Sequence, residues 1–319
     1  MPTSPTELIA CLFLLAGSLL FVGCATDKQV IAQAEGAHGQ IEPAILTDPQ
    51  LDRYTQAVGD RIVATAYDLW QQGAFEDLDL EEWMFEDVSF HMVNSDVPNA
   101  FTTGGKHIYM YTGLFTRADT EDGFAAVVGH EFGHILGRHV HGGMNRRYTQ
   151  LGIAAGAAVA GAAIDKDNRA RGASLGAGMG LAGGQVAGLK FGRDDEAQAD
   201  AIGFALYAHS GYDPNKFREF FAAMVEAGAD QSGLQELMSS HPSLSSRVAN
   251  ADRRAEEWKQ QNPDWQRYLR PDVAGSEAEF ARLQQRAKQL EKSSPQDSTL
   301  GQAQALLDAF PRCVDLSDE

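Results

Sequence analysis

The chain has 319 residues, 44% of them apolar, with a formal net charge of −18 from 44 acidic and 26 basic side chains. This length suits one large or two small domains with a core that needs no metal or disulfide staples. The composition argues against global disorder, and the acidic balance argues against a nucleic-acid partner, which calls for a basic field. Three cysteines, Cys11, Cys24 and Cys313, do not make a disulfide framework.

Residues 8–22, LIACLFLLAGSLLFV, form an apolar run of 15. A spanning helix needs about 20 residues, so the run fits the h-region of a signal peptide better. It ends in Phe21-Val22-Gly23-Cys24, which resembles a bacterial lipobox, whose cysteine becomes the acylated first residue of the mature chain. The preceding MPTSPTE carries no Lys or Arg, and Phe21 stands where leucine is usual. A plain cleaved signal and an uncleaved anchor therefore stand beside the lipoprotein reading. On that reading residues 1–23 are a signal peptide and Cys24 is lipidated. Ala25, in the place where Asp would hold a lipoprotein back, implies the inner leaflet of the outer membrane, facing a bacterial periplasm. Residues 24–48 read as a linker.

Leu51, Tyr54, Val58, Ile62 and Leu69 predict a helix over 50–71. Seven acids among the twelve residues Glu76–Asp87 predict a solvated loop. Residues 83–94 (WMFEDVSFHMVN) and 107–111 (HIYMY) predict strands of a small sheet with an exposed edge, and Pro98 suits an edge or a turn. Asp119 or Thr120 can cap a helix running to about His141, with Glu121 and Asp122 in its first turn where acids suit the helix dipole. Residues 151–189 hold ten of the 32 glycines, five of them at every fourth position from Gly172 to Gly188. A flexible loop and a helical hairpin of closely packed backbones both fit that pattern, and the strict spacing favours the hairpin. Helices are predicted at 194–209, 214–227, 244–260 and 276–291, followed by a polar tail over 292–319. The fold class is α+β, mainly helical, with a small sheet.

His130-Glu131-Phe132-Gly133-His134 reads H-E-x-x-H. On a helix, residues i and i+4 share a face, so both imidazoles reach one metal ion with Glu131 beside them. Zinc accepts nitrogen and carboxylate donors and keeps one position for water in a catalytic site. Glu131 can take a proton from that water and pass it to a leaving amine. A third ligand is required. Glu196 and Asp200 lie one helical turn apart in RDDEAQAD. Glu196 can complete a His₂Glu set, and Asp200 can accept the other ring N–H of a ligating histidine, His130 being the chosen partner. A structural metal site would need a fourth protein ligand, for which His241 is the evident candidate.

These motifs stand in order with Asn99-Ala100-Phe101, Gly104-Gly105, HIYMYTGLF, AAVVGHEFGHILGRH, Gly211-Tyr212-Asp213-Pro214, and His241-Pro242 with Arg247. Over about residues 99–247 the sequence resembles peptidase family M48. The resemblance implies a zincin-like metalloprotease domain over 49–291, with the sheet beside the H-E-x-x-H helix. It implies one zinc per chain at His130, His134 and Glu196, with Glu131 as general base and acid. It also implies that His241 and Arg247 lie near the site, where His241 would stabilise an oxyanion or occlude the metal. The chain looks like the soluble, lipid-anchored branch that acts in envelope protein quality control, with unfolded or misfolded polypeptides as substrates. Asn99, Ala100 and Phe101 would receive them by strand addition, and the glycine-rich hairpin 151–189 would be a lid. His139 and His141 are expected to be structural or surface groups. The rival readings are a lipid-anchored, non-proteolytic chaperone or assembly factor, and a latent protease closed by His241. Glu131 argues against pure binding, which needs no general base.

Overall fold

Residues 26–96, 98–145, 191–219, 221–222 and 244–293 are described by the computed structural model. Cys24, the hairpin expected over 151–189, His241 and the tail from 294 lie outside them. The chain divides into two compact units. One comprises Met1–Asp27 and His141–Leu189, and among its described residues His141 Nε2 lies 2.8 Å from Asp27 Oδ1. The other, Lys28–Val140 with Lys190–Glu319, carries the sheet and the metal-ligand motifs.

Helix α1 (Asp27–Ile41) corrects the linker expected over 24–48. Val30, Ala34, Ala37 and Ile41 recur at helical spacing and are buried. Helix α2 (Pro49–Gln71) starts at Asp48, whose Oδ1 accepts from Gln50 N and Leu51 N at 3.1 Å each. Its buried stripe of Leu51, Tyr54, Val58 and Ile62 faces the core. A 3₁₀ turn, Glu82–Met84, follows, so the strand expected from residue 83 begins only at Ser89. The acidic stretch is also not wholly solvated. Met84 is buried, and Asp79 O and Glu81 Oε1 accept from Arg138 Nε and Nη2 at 2.7 and 2.8 Å.

Strands β1 (Ser89–Val93), β2 (Ala100–Thr102) and β3 (His107–Tyr111) form one sheet in the order β1-β3-β2. β1 runs parallel to β3, in register from Ser89↔His107 to Val93↔Tyr111, and β2 runs antiparallel to β3, from Ala100↔Met110 to Thr102↔Ile108. Phe90, Met92, Ile108 and Met110 join the main core. α2 approaches β1 so closely that a Cβ on Gly59 would overlap the Phe90 ring. Val93, Tyr109 and Tyr111 pack with Ala37 and Ile41 of α1, so both faces of the sheet are covered. The segment 44–46 borders the outer edge of β1 through Leu46 N to Met92 O and Asn94 N to Ala44 O, each 2.8 Å. Among the described residues, β2 has a strand on one side only.

After the short helix α3 (Thr112–Phe115), Thr120 caps α4 (Glu121–Leu136) by accepting from Gly123 N at 3.2 Å. All sixteen residues of α4 are buried, including the two acids of its first turn. Asp122 Oδ1 accepts from Tyr207 Oη and Asp213 N at 3.0 Å, and Glu121 Oε2 accepts from Ala274 N at 2.8 Å. These bonds fix the start of α4 against the 211–213 turn and the 273–274 segment. The helix stops at Leu136 rather than near His141, because Gly137 ends it and Arg138 turns the chain at φ 54°. The Arg138 bonds to Asp79 and Glu81 hold that turn.

Helix α5 (Arg193–His209) packs on α4 through a seam of small residues. A Cβ on Gly133 would lie 2.7 Å from Ala199 O, and one on Gly203 would lie 2.9 Å from Gly129 C. Only near-bare backbones come this close, and the antiparallel seam brings the first turn of α5 over the C-terminal half of α4. Helices α6 (Leu244–Gln261) and α7 (Glu277–Ser293) complete the described helices used below. Of the helix expected at 214–227, residues 217–219 and 221–222 are helical, and the rest lies outside the described set or in the preceding turn. The structure is thus mainly helical with a three-stranded sheet. Among the described residues no helix is long and apolar enough to cross a membrane.

Candidate metal centre

The α4–α5 seam gathers three donors. His130 and His134, one turn apart on α4, place their Nε2 atoms 3.1 Å from each other. Glu196, in the first turn of α5, lies across from them, with Oε2 3.5 Å from His130 Nε2 and Oε1 3.4 Å from His134 Nε2. All three side chains are buried, and one donor atom from each lies within 4.8 Å of the other two. Two imidazoles and a carboxylate in this arrangement suit a borderline divalent metal. The charges agree. Among the described residues, Glu131, Glu196 and Asp200 are buried beside one buried guanidinium, that of Arg247. Three negative charges against one positive leave an excess of two, which a divalent cation would balance. Buried charge is costly unless it is compensated.

Behind the donors stands a row of partners. Asp200 Oδ1 lies 3.0 Å from His130 Nδ1. Arg247 of α6 donates from Nε to Asp200 Oδ2 at 2.8 Å and from Nη2 to Asp200 Oδ1 at 2.7 Å, while its Nη1 lies 3.1 Å from Glu196 Oε2. Its guanidinium sits 4.4 Å above the Phe221 ring. Burial raises the Asp200 carboxyl, but the His130 hydrogen bond and the Arg247 charge outweigh it and hold the group at about 2. Burial and Arg247 push the His130 imidazole down, and hydrogen bonds to Asp200 and Glu196 overcome both and carry it up to about 9. A metal ion bound at His130 would compete with a proton for the same imidazole, so its binding should weaken as pH falls.

His134 has a different partner. Its Nδ1 lies 2.8 Å from His139 Nδ1, and His139 Nε2 lies 2.9 Å from Gln198 Oε1. With Gln198 Oε1 accepting from His139 Nε2–H, His139 Nδ1 must accept from His134 Nδ1–H. That tautomer leaves the His134 Nε2 lone pair facing the donor set. Desolvation lowers the His139 pKa and so favours the neutral ring that this relay needs. Phe191 stacks on His134 at 3.9 Å. We expect His139→Phe to weaken metal binding by roughly 10- to 100-fold, the usual effect of losing such an orienting partner. Competition against a chromophoric chelator measures this, and unchanged affinity would remove His139 from the centre.

The structure therefore brings together His130, Glu131, His134, Glu196, Asp200 and Arg247 from three helices. His139, expected as a structural or surface group, belongs with them, as do Gln198, Phe191 and Phe221. Their proximity follows from the turn at Arg138 and from helix packing, which spacing within one helix does not report. Asn99, Ala100 and Phe101 lie apart from the donor set, on and just before the edge strand β2, which is in contact with α4. The Phe101 ring stacks on Tyr109 at 4.7 Å. His241 and Cys24 lie outside the described residues.

A family model described as Peptidase family M48 matches residues 77–255, more than half of the chain. The beta-barrel assembly-enhancing protease of Yersinia pestis is 27% identical over 215 residues, covering 67% of this chain and 41% of that protein. The protein of the same name from Escherichia coli (strain K12) is 26% identical over 272 residues, covering 83% and 48%. The mitochondrial metalloendopeptidase OMA1 of Schizosaccharomyces pombe is 28% identical over 168 residues, covering 53% and 45%. The chain thus spans less than half the length of each of these relatives.

Proposed function

Since the chain belongs to peptidase family M48, a family of metallopeptidases, we propose that it is a zinc-dependent endopeptidase that cleaves unfolded or misassembled envelope proteins. The observation that carries this reading is the convergence of His130, His134 and Glu196 with Glu131 buried on the same helix. The three donors would hold zinc, which supplies Lewis acidity and an acidified water when bound. Glu131 takes the proton from the attacking water on its carboxylate and returns it to the leaving amine. Asp200 and His139 fix the ring tautomers of His130 and His134, so that both Nε2 lone pairs point inward. Arg247 holds Asp200 and Glu196 in place. Its donors are taken by protein carboxylates, which favours a positioning role over contact with substrate.

Substrate would add as a strand along β2, at Asn99-Ala100-Phe101. Such pairing reads backbone and suits chains of varied sequence. That β2 pairs with a strand on one side only among the described residues, and that it contacts α4, support this. The names of the bacterial relatives, together with the lipobox-like ending at Cys24, support a lipid-anchored protein at the periplasmic face of the outer membrane. His241 would stabilise the oxyanion or close the site.

The test is cleavage of unfolded casein by the purified chain before and after metal removal. We expect cleavage to stop on treatment with a chelator and to return with one equivalent of zinc. Cleavage that persists in chelator, with metal shown to be absent, would refute the proposal.

A further inference from the structure

The opposite side of the domain's sheet carries a second group of imidazoles that the protease reading does not use. His91 of β1 pairs with Tyr109 of β3, and His107 stands two residues before Tyr109, so His91 and His107 are diagonal neighbours on one face. Helix α1 lies over that face, with Ala37 and Ile41 against Tyr109. One turn of α1 presents Glu35 and His38, three residues apart and on one side. His91 Nε2 lies 3.0 Å from His107 Nδ1. The His38 ring sits 4.0 Å from that of His107 and 4.7 Å from that of His91. Glu35 Oε1 is 3.3 Å from His107 Nε2. One ring nitrogen from each histidine lies within 4.8 Å of the other two.

We propose that His38, His91 and His107 form a second site for a borderline divalent transition metal of the zinc, nickel and copper class, with Glu35 holding the other ring nitrogen of His107. Imidazole donors select such ions over magnesium or calcium. Donors around tetrahedral zinc stand about 3.3 Å apart for bonds of about 2.05 Å, close to the His91–His107 separation. The His38 ring is stacked on His107 with planes 5° apart, and parallel rings do not aim their lone pairs at one point. Ligation therefore turns His38 out of the stack. Glu35 faces the Nε2 edge of His107 and His91 its Nδ1 edge, so Glu35 orients the His107 ring rather than joining the three imidazole donors. The donors come from α1, β1 and β3, so the ion would pin α1 to the sheet. A ligand that binds only the folded state stabilises it by mass action.

The test uses the full chain carrying His130→Gln and His134→Gln, which removes the first donor set and makes the result independent of the protease reading. Stripped of metal and dialysed against Zn²⁺ alone, this chain should bind one zinc. Addition of Ni²⁺ should raise its Tm. Adding His91→Gln and His107→Gln should abolish both the zinc and the shift. If that variant does not fold, Glu35→Ala with His38→Ala, on the helix surface, should abolish the Tm shift instead. A His130→Gln, His134→Gln chain that folds and binds no zinc would overturn the inference. So would zinc that survives loss of His91 and His107, or a shift that survives loss of Glu35 and His38.

Discussion

Glu131→Gln is expected to lower peptide-bond cleavage by roughly 10²- to 10⁴-fold, the usual worth of a positioned general base, and to leave the metal content unchanged. Glu131 is buried on α4, next in the chain to His130, and is not one of the three converging donors. Glutamine keeps the size and hydrogen-bonding reach of the side chain but cannot take a proton. Binding of an unfolded chain at the β2 edge should survive, since it draws on backbone pairing. The variant therefore separates the protease from a chaperone that only grips its clients. Cleavage at the wild-type rate, with metal still bound, would take Glu131 out of the mechanism.

Arg247→Met should cost the metal-free chain about 3–5 kcal/mol, the usual result of breaking one side of a buried ion pair. Methionine preserves length and apolar packing on Phe221 but removes the guanidinium's donors to Asp200 and Glu196. The loss should depend on pH. In the wild type Asp200 is held at about 2, below its ordinary value, so its contribution is present above the ordinary carboxylate range and is lost as pH falls through about 2. Without Arg247 burial and the His130 hydrogen bond remain, so the Asp200 carboxyl rises from about 2 toward its ordinary value and its contribution to stability shrinks. The deficit should therefore grow as pH rises from about 2 through the ordinary carboxylate range and level off above it. Bound zinc should recover part of it, because two positive charges replace the missing one. Urea unfolding of both chains, with and without zinc, measures these differences. A deficit below about 1 kcal/mol at neutral pH would place Arg247 among ordinary surface pairs.

Much of the donor set was legible in the sequence because it is local. His130 with His134, and Glu196 with Asp200, are each four residues apart, and helical geometry alone puts each pair on one face. The structure places both pairs in helices, Glu121–Leu136 and Arg193–His209. The strand His107–Tyr111 announced itself by aromatic and β-branched composition. What escaped depends on distant partners. The stripe Val30, Ala34, Ala37 and Ile41 was present, but two alanines among glycines and polar residues make a weak apolar signal, and the segment read as a linker. The stop of α4 before Arg138 rests on Asp79 and Glu81, more than fifty residues upstream. Burial of Glu121 and Asp122 rests on Tyr207, Asp213 and Ala274. The partnership of His139 with His134 needs the turn between them, and the gathering of His38, His91 and His107 needs the strand register and the docking of α1.

The most direct test of the central claim is anomalous diffraction at the zinc edge from crystals of the zinc-loaded chain. A zinc peak is predicted at about 2.0–2.2 Å from His130 Nε2, His134 Nε2 and a Glu196 carboxylate oxygen, the bond lengths these donors form with zinc. Full zinc loading with no peak between those three side chains, whatever is bound elsewhere, would contradict it.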